Sequence, residues 1–544
     1  YGRQRHLGGI RIPLVKDKLF FSMAGLYEKF DGFYTNDFDG SQFDKQQNFS
    51  GNYFLTYQFN STWEATLNFK HFSAKNKGAF PLVFGINEAF ENPYHLNQNQ
   101  TSTMKDQTLN TSLLIEHSGE NINFSSQTSF QRNYRYYEDP IDADFSPIAG
   151  ISIFNNYGKD WNNINVLTQE IQFSSPTDEK GKLNWTAGSY MFYQKNPVKQ
   201  ATQFGEDAAF VGSEEINFEL INTSEESNKG ISFFGQGSYK LTDKIDLTAG
   251  LRYDIEEKKK SVLGEYKVNS EPQPAFEFQS DTSATASFDS FSPLLGLSYD
   301  IDRENMIFFT YKKGFRAGGL TPLNSDPSQP PLFAFKPELS HNFEIGSKNV
   351  FFENKVILNA AVFLTKVTDV QVPTLVLPEA VIVTKNTGEL TSKGIELEAK
   401  ILLLKGFEMN YNLGLTEATY NSLKIAGEEG EANLQGNKQI FTPDVTSMLS
   451  LQYNSSFKFN KSLQYSLRGQ WSYLGEQYFD LSNSLKQDPY SLFNAQIGLS
   501  YKNWNIGLWG KNILDKRYIS YGYNFGAVQL GSPLTYGLSL SFDI

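Results

Sequence analysis

The chain has 544 residues, of which 39% are apolar, 15% aromatic and 20% charged; its formal net charge is −12 and it contains no cysteine. Rings at this frequency exclude a disordered chain, and no apolar run approaches the ~20 residues of a membrane-spanning helix. The acidic balance excludes nucleic acid as a main partner, and the lack of cysteine excludes disulfides and thiolate metal sites.

Apolar and polar residues alternate in long stretches. Period-2 alternation predicts strands near 3–13, 18–30, 49–59, 62–73, 105–117, 121–134, 163–175, 182–193, 230–241, 244–256, 288–300, 304–316, 338–349, 353–366, 391–403, 406–418, 444–454, 461–474, 490–501, 504–514 and 532–543. The last is the cleanest. Leu534, Tyr536, Leu538, Leu540 and Phe542 share one parity, while Thr535, Gly537, Ser539 and Ser541 fill the other. Side chains on a strand point alternately to its two faces, so each segment has one oily and one wet face.

Short turns, such as Asn60–Ser61, Thr242–Asp243 and Lys502–Asn503, alternate with long polar connections at 31–48, 74–104, 135–162, 194–229, 257–287, 317–337, 367–390, 419–443, 475–489 and 515–531. All the long connections fall at one end of an up-and-down array. That is the layout of an all-β transmembrane antiparallel barrel with short periplasmic turns and long extracellular loops. A soluble propeller would repeat every ~40–50 residues, and no such repeat is present. The 21 predicted strands start and end in the same direction, whereas single-chain bacterial barrels have even counts. The expectation is therefore 21 of 22 strands, with residues 1–544 forming the barrel and a plug and first strand lying upstream of Tyr1.

Several segments carry a family resemblance. YKKGFRAGG (Tyr311–Gly319), FKPELSHNFEIGSK (Phe335–Lys348), NTGELTSKGIELEAK (Asn386–Lys400), LWGKNILDKRY (Leu508–Tyr518), SPLTYGLSLSF (Ser532–Phe542) and DGFYTN (Asp31–Asn36) together resemble TonB-dependent outer-membrane receptors, especially their iron–siderophore branch. The resemblance implies a receptor and transporter in the outer membrane of a Gram-negative bacterium. It would take up a ferric siderophore with energy from the TonB complex, which it would meet through the N-terminal region. Uptake of cobalamin, haem or a glycan, or a passive porin-like barrel, are the alternatives. The further expectations are a monomer among outer-membrane lipid and lipopolysaccharide, no enzymatic activity, no covalently bound cofactor, no resident metal, and a ferric chelate as cargo. One departure is the end of the chain, where Asp543 and Ile544 follow Phe542 instead of a terminal aromatic.

No HExxH, G-x-S-x-G or P-loop motif occurs. Of the five histidines only His95 sits well inside a long loop, where a haem ligand would be wanted. The acidic run Glu428–Glu431 reads as solvated loop surface. Aromatic faces suit planar chelators, and arginine forks suit carboxylate or catecholate oxygens. The expected ligand-binding residues are therefore Phe84, Tyr94, Arg132, Arg135, Tyr136, Tyr137, Trp161, Tyr521 and Tyr523 in and beside the outer loops. Arg316 joins them, because on 304–316 Ile307, Phe309 and Tyr311 share the oily parity and leave Lys312 and Arg316 facing the lumen.

Overall fold

The computed structural model describes residues 1–176, 181–321, 332–376, 381–427 and 430–543. Its main element is one large antiparallel sheet. The long strands are β1 (Gln4–Val15), β2 (Leu19–Phe30), β3 (Gln46–Gln58), β4 (Trp63–Lys77), β5 (Thr103–Ser118), β6 (Asn123–Tyr137) and β7 (Asn163–Ser174). They continue as β8 (Leu183–Phe204), β9 (Phe218–Lys240), β10 (Ile245–Val268), β11 (Phe276–Asp300), β12 (Asn305–Arg316), β13 (Glu338–Phe351) and β14 (Val356–Val376). The last are β15 (Val381–Leu404), β16 (Phe407–Gly427), β17 (Val445–Phe457), β18 (Asn460–Leu474), β19 (Tyr490–Tyr501), β20 (Trp504–Lys511) and β21 (Thr535–Phe542). Each pairs antiparallel with the next in sequence, so the array runs up and down without a crossover.

Register turns the alternation of each strand into a continuous belt. Leu467 lies opposite Ile497, Ile497 opposite Leu508, and Leu508 opposite Leu538. These four are 44%, 53%, 57% and 67% exposed. No second protein layer covers them. Next along the strands, Arg468, Gln496 and Trp509 stand in register on the other face. The same one-sided display recurs at Phe69, Leu167, Phe233, Phe291, Ile345 and Val362. A belt of this kind belongs against hydrocarbon, with the polar face lining the interior.

The connections differ from the sequence expectation in one respect. The predicted loop 194–229 shrinks to 205–217, because β8 runs on to Phe204 and β9 begins at Phe218. The predicted loop 257–287 shrinks to 269–275, while β14 runs to Val376, β15 starts at Val381 and β16 reaches Gly427. A tilted strand crosses a bilayer in about 9–11 residues, whereas β8 to β11 have 22, 23, 24 and 25. Their outer halves therefore stand clear of the belt as a ribbon. Much of the ribbon is polar and its rings, Phe204, Phe218, Tyr266 and Phe276, stack near its far end, so no continuous oily parity reveals it. Cross-strand ion pairs fill its surface instead: Lys229 with Glu257 at 2.8 Å, Lys267 with Glu219 at 3.4 Å and Lys260 with Glu226 at 3.4 Å.

Among the described residues, β1 pairs only with β2 and β21 only with β20, and the two edges run in the same direction. The belt generates a depth test. In a phospholipid bilayer, Ile497→Lys should destabilise the folded barrel by roughly 2–4 kcal/mol, the cost of a cation near the midplane. Its strand neighbour Gln496→Lys, which meets the interior, should cost well under half of that. Urea titration of vesicle-refolded protein measures both, and equal costs would contradict the assigned faces.

Candidate functional site

At the outer end, the loops from the first and last quarters of the chain pack into a core of their own. Tyr34, Phe43, Val83, Ala89, Leu96, Phe479, Leu485, Ile519, Val528 and Leu530 form one buried cluster. Two small sheets frame it. Val83–Phe84 pairs with Ala527–Leu530, which pairs with Ile519–Gly522. Thr35–Asn36 pairs antiparallel with Ser41–Gln42 and parallel with His95–Leu96. The helix α1 (Ile86–Glu91) buries Ala89 in the cluster.

Three segments that resemble the family prove to be joinery. In DGFYTN, the Asp44 carboxylate accepts the N–H groups of Phe33 and Tyr34, each at 2.8 Å. Fully buried Asn36 donates to the Gln98 carbonyl at 2.8 Å and accepts the Gln98 N–H at 3.0 Å. The Tyr34 hydroxyl accepts the Leu530 N–H at 2.9 Å and donates to the Leu530 carbonyl at 3.3 Å. In NILDKRY, Asn512 donates to the carbonyls of Lys516 and Ser532 at 2.9 and 3.0 Å, and Asp515 accepts the Leu534 N–H at 2.9 Å. Tyr518 stacks on Tyr490 with ring centroids 4.3 Å apart, and any Cβ at Gly531 would fall 2.0 Å from the Tyr518 ring. In NTGEL, Asn386 donates to the carbonyls of Lys336 and Asp369 at 2.9 and 2.7 Å. Buried polar groups must be paired, and these asparagines and aspartates pair the main chain where no ladder can.

On this frame stands an aromatic surface. Tyr523 stacks on Phe525 at 5.1 Å, and Phe145 lies nearly parallel to both, at 6.2 and 6.1 Å. Tyr521 stacks on Phe441 at 5.9 Å, and Phe80 lies 6.3 Å from Tyr137. Phe84, Phe441, Phe525, Phe80 and Tyr521 keep 57%, 46%, 40%, 37% and 37% of their surface open. Rings fixed in this way offer flat apolar contact at low entropic cost.

The expected ligand residues divide over this geometry. Phe84, Tyr521 and Tyr523 join the outer aromatic surface, and Tyr137 reaches it through Phe80. Tyr94 is a tie, with its hydroxyl donating to the Gly531 carbonyl at 2.8 Å. Arg135 faces inward and donates from Nε to the buried Asp106 carboxylate at 2.8 Å, so its fork is held by the wall. Arg132 and Tyr136 share the parity of Phe130 on the outward face of β6, where Arg132 donates to Asn163 at 3.0 Å. Trp161 lies beside Lys199, whose Nζ is 5.9 Å from its ring. Arg316 ends β12 in an exposed position, its carbonyl accepting from Gln371 at 3.5 Å. The ten do not form one pocket. Sequence reading missed Phe441 and Phe479, isolated rings without a periodic partner; they pack 5.6 Å apart beside Tyr521. His95 contacts Asp37 at 2.8 Å. Glu428 and Glu429 lie outside the described residues, and among those described no cluster of three metal-ligating side chains occurs.

One carboxylate holds the stack to the loop before it. Asp142 accepts the main-chain N–H groups of Phe145 and, at 3.0 Å, Asn99. Burial, and next the nearby Asp144 carboxylate, push Asp142 up to about 8, against these bonds to its charged form. Its folded value lies above the ordinary 3.8. The stability it contributes is therefore complete below about pH 4 and lost as pH rises through about 8. Exchange of the Asn99 and Phe145 amides should accelerate between pH 7 and pH 9 beyond the intrinsic base-catalysed rise, roughly one unit either side of that value; a purely intrinsic profile would contradict it. Separately, Tyr34→Phe leaves the Leu530 N–H buried and unpaired, at a cost of about 1–3 kcal/mol. Limited proteolysis should then cut 512–534 faster while the strands stay protected.

Comparison with known proteins agrees with this architecture. The family model for TonB dependent receptor-like β-barrels matches residues 75–513. The pesticin receptor of Yersinia pestis is 23% identical over 338 residues, 60% of this chain and 45% of that protein. The ferrichrome outer membrane transporter/phage receptor of Escherichia coli K12 is 23% identical over 237 residues, 42% of this chain and 29% of that protein. The chain thus spans less than half the length of these relatives. Among solved structures, the ferric yersiniabactin uptake receptor FyuA of Yersinia pestis superposes with a TM-score of 0.82 at 18% identity, covering 99% of this chain and 78% of that one. The siderophore receptor PiuA of Acinetobacter baumannii gives 0.78 at 16% identity, over 99% and 79%. With its family model spanning most of the sequence and its fold shared with these receptors, the chain belongs to the TonB dependent receptor-like, β-barrel family.

Proposed function

We propose that this chain is the wall and mouth of an outer-membrane receptor that takes up a ferric siderophore, driven by TonB. The observation that carries the reading is the rigid aromatic surface at the outer mouth of a barrel of this family, formed by Phe84, Phe441, Tyr521, Tyr523 and Phe525 and backed by buried Phe145. Such a surface suits a bulky, flat organic chelate better than a bare ion. The relatives point the same way, since their names are those of receptors for ferrichrome, ferrioxamine and ferric yersiniabactin. Iron arrives as cargo inside its chelator, and the wall performs no covalent chemistry.

In this reading the oily belt sits in the outer membrane of a Gram-negative cell, among lipid and lipopolysaccharide, as a monomer. The two seam edges run in the same direction, so one strand antiparallel to both would complete the ladder. A plug inside the lumen, moved by the TonB complex, would complete the receptor. Residues 1–544 are then one barrel domain.

A deletion strain grown on a panel of catecholate, hydroxamate and mixed-ligand ferric chelates tests the cargo. Loss of growth on one chelate, restored by the full-length gene, is the expected result; unchanged growth on every member would refute the siderophore assignment. Replacing Tyr521 or Tyr523 by Ala should weaken chelate binding by roughly fivefold each, from about 1 kcal/mol per stacked ring.

A further inference from the structure

The lumen face of β1 to β4 is unevenly charged. Met23, Tyr53 and Phe69 stand in register on the oily side, so residues of the other parity line the interior. There Arg5 shares a row with Glu28, Asn48 and Ala74, and the next row toward the short turns holds Leu7, Leu26, Ser50 and Phe72. Lys70 follows in the row of Gly9, Ala24 and Asn52, and Arg11 in the row of Ser22, Phe54 and Asn68. Arg3 stands one row outside Arg5, its guanidinium 4.3 Å from the Phe30 ring centre. Rows on one face are two residues apart, so this line of cations runs for about 27 Å, close to the ~30 Å of the hydrocarbon core. The same rows of β1 to β4 offer a single carboxylate, Glu28, and Arg3 takes it at 3.5 Å. Arg5, Lys70 and Arg11 are exposed and have no ion-pair partner among the described residues.

Three hollows open along this line. The outer one, of about 430 Å³, brings Arg3 together with Phe30, Phe33 and Tyr518. The middle one, of about 470 Å³, sets Lys70 beside Leu7, Leu26 and Phe72. The third, of about 280 Å³, sets Arg11 beside Phe20 and Phe54. Each therefore joins a cation to an aromatic ring. Farther round the wall the balance reverses: on β13 to β16 the lumen face carries Glu344, Glu396, Glu398 and Glu408 against Lys348 and Lys400.

We propose that the inner face of β1 to β4 is the side of the lumen along which cargo passes, and that the cargo is a net-anionic ferric chelate with aryl-oxygen donors. Three dianionic catecholate arms on one ferric ion leave a surplus of negative charge, whereas three monoanionic hydroxamates leave none. Cations attract the charged oxygens and the rings beside them take the aryl faces. Repetition of that pair in successive hollows gives an anionic aryl chelate a series of weak stations between mouth and short turns, and gives a neutral chelate little. The inference rests on the reading of the chain as a chelate receptor and names the class of its cargo.

The test uses the full-length gene in the deletion strain, with two radio-iron-labelled probes of similar size, a synthetic tris-catecholate and a synthetic tris-hydroxamate. Wild-type cells should take up the tris-catecholate faster. R5Q/R11Q/K70Q should slow its uptake about tenfold, the lower end of what a field of one sign adds to a rate, while its binding to de-energised cells stays near wild type because the mouth is untouched. R5K/R11K/K70R should restore the rate, and Lys348→Gln, outside the three hollows, should leave it unchanged. Entry of a bulky glycopeptide antibiotic should not rise in the triple variant. Heat-modifiable mobility on gels checks that each variant is folded. Unchanged tris-catecholate uptake by the folded triple variant, equal slowing of the tris-hydroxamate, or raised antibiotic entry, which would make the cations a seat for a plug, would each overturn the proposal. So would wild-type uptake of the tris-hydroxamate alone, or of neither probe while another ferric chelate supports growth, and both would leave the receptor reading standing. Growth on no ferric chelate at all would instead refute the receptor reading beneath it.

Discussion

A peptide group facing hydrocarbon has no water to bond, so each N–H and C=O must find another strand. This constraint organises the molecule. It forces every strand from β2 to β20 to be paired on both sides. With the ladder satisfying the backbone, each side chain is left to choose between lipid and lumen. Leu467, Ile497, Leu508 and Leu538 take one side, while Arg468 and Gln496 take the other.

Beyond the lipid boundary the constraint relaxes, and the chain uses a different economy. Water can pair the backbone there, so β8 to β11 continue as a ribbon held by ladders, ion pairs and local clusters such as Phe204 on Phe218, without a continuous apolar belt. Where loops do need a dry interior, around Tyr34 and Val528, they build one from rings and aliphatics and satisfy its polar groups with Asn36, Asp44 and Asn512. The exposed rings of the mouth are then rigid because their neighbours are, and this stiffness suits the proposed contact with a flat ligand.

What could be read from the sequence follows the same physics. The strands of the belt were legible because the bilayer imposes parity on Leu534–Phe542 and its counterparts. The outer halves of β8 to β11 were not, because Gln194–Phe204 and its neighbours lack a sustained oily parity and Pro197 reads as a break. Family-like segments such as DGFYTN and NILDKRY were visible as patterns, but their role in bonding loop backbones emerged only with the distances. The site was the least legible part. Tyr521 and Tyr523 could be placed by their loop, but nothing in the order of residues brings Phe145 onto Tyr523 or Phe441 onto Tyr521. Arg132 shows how little separates the two sides: near a strand end, one residue of parity divides the lumen from the outside.

The clasp between Tyr34 and Leu530 joins groups 496 positions apart. Hairpins along the wall can zip locally, but bringing such remote partners together carries a far larger loop-closure entropy. The outer core is therefore among the last parts to form. A chain arrested before that point would hold most of its ladder while the rings of its mouth lie unassembled, so the mouth is finished only after the two ends of the wall have been brought together.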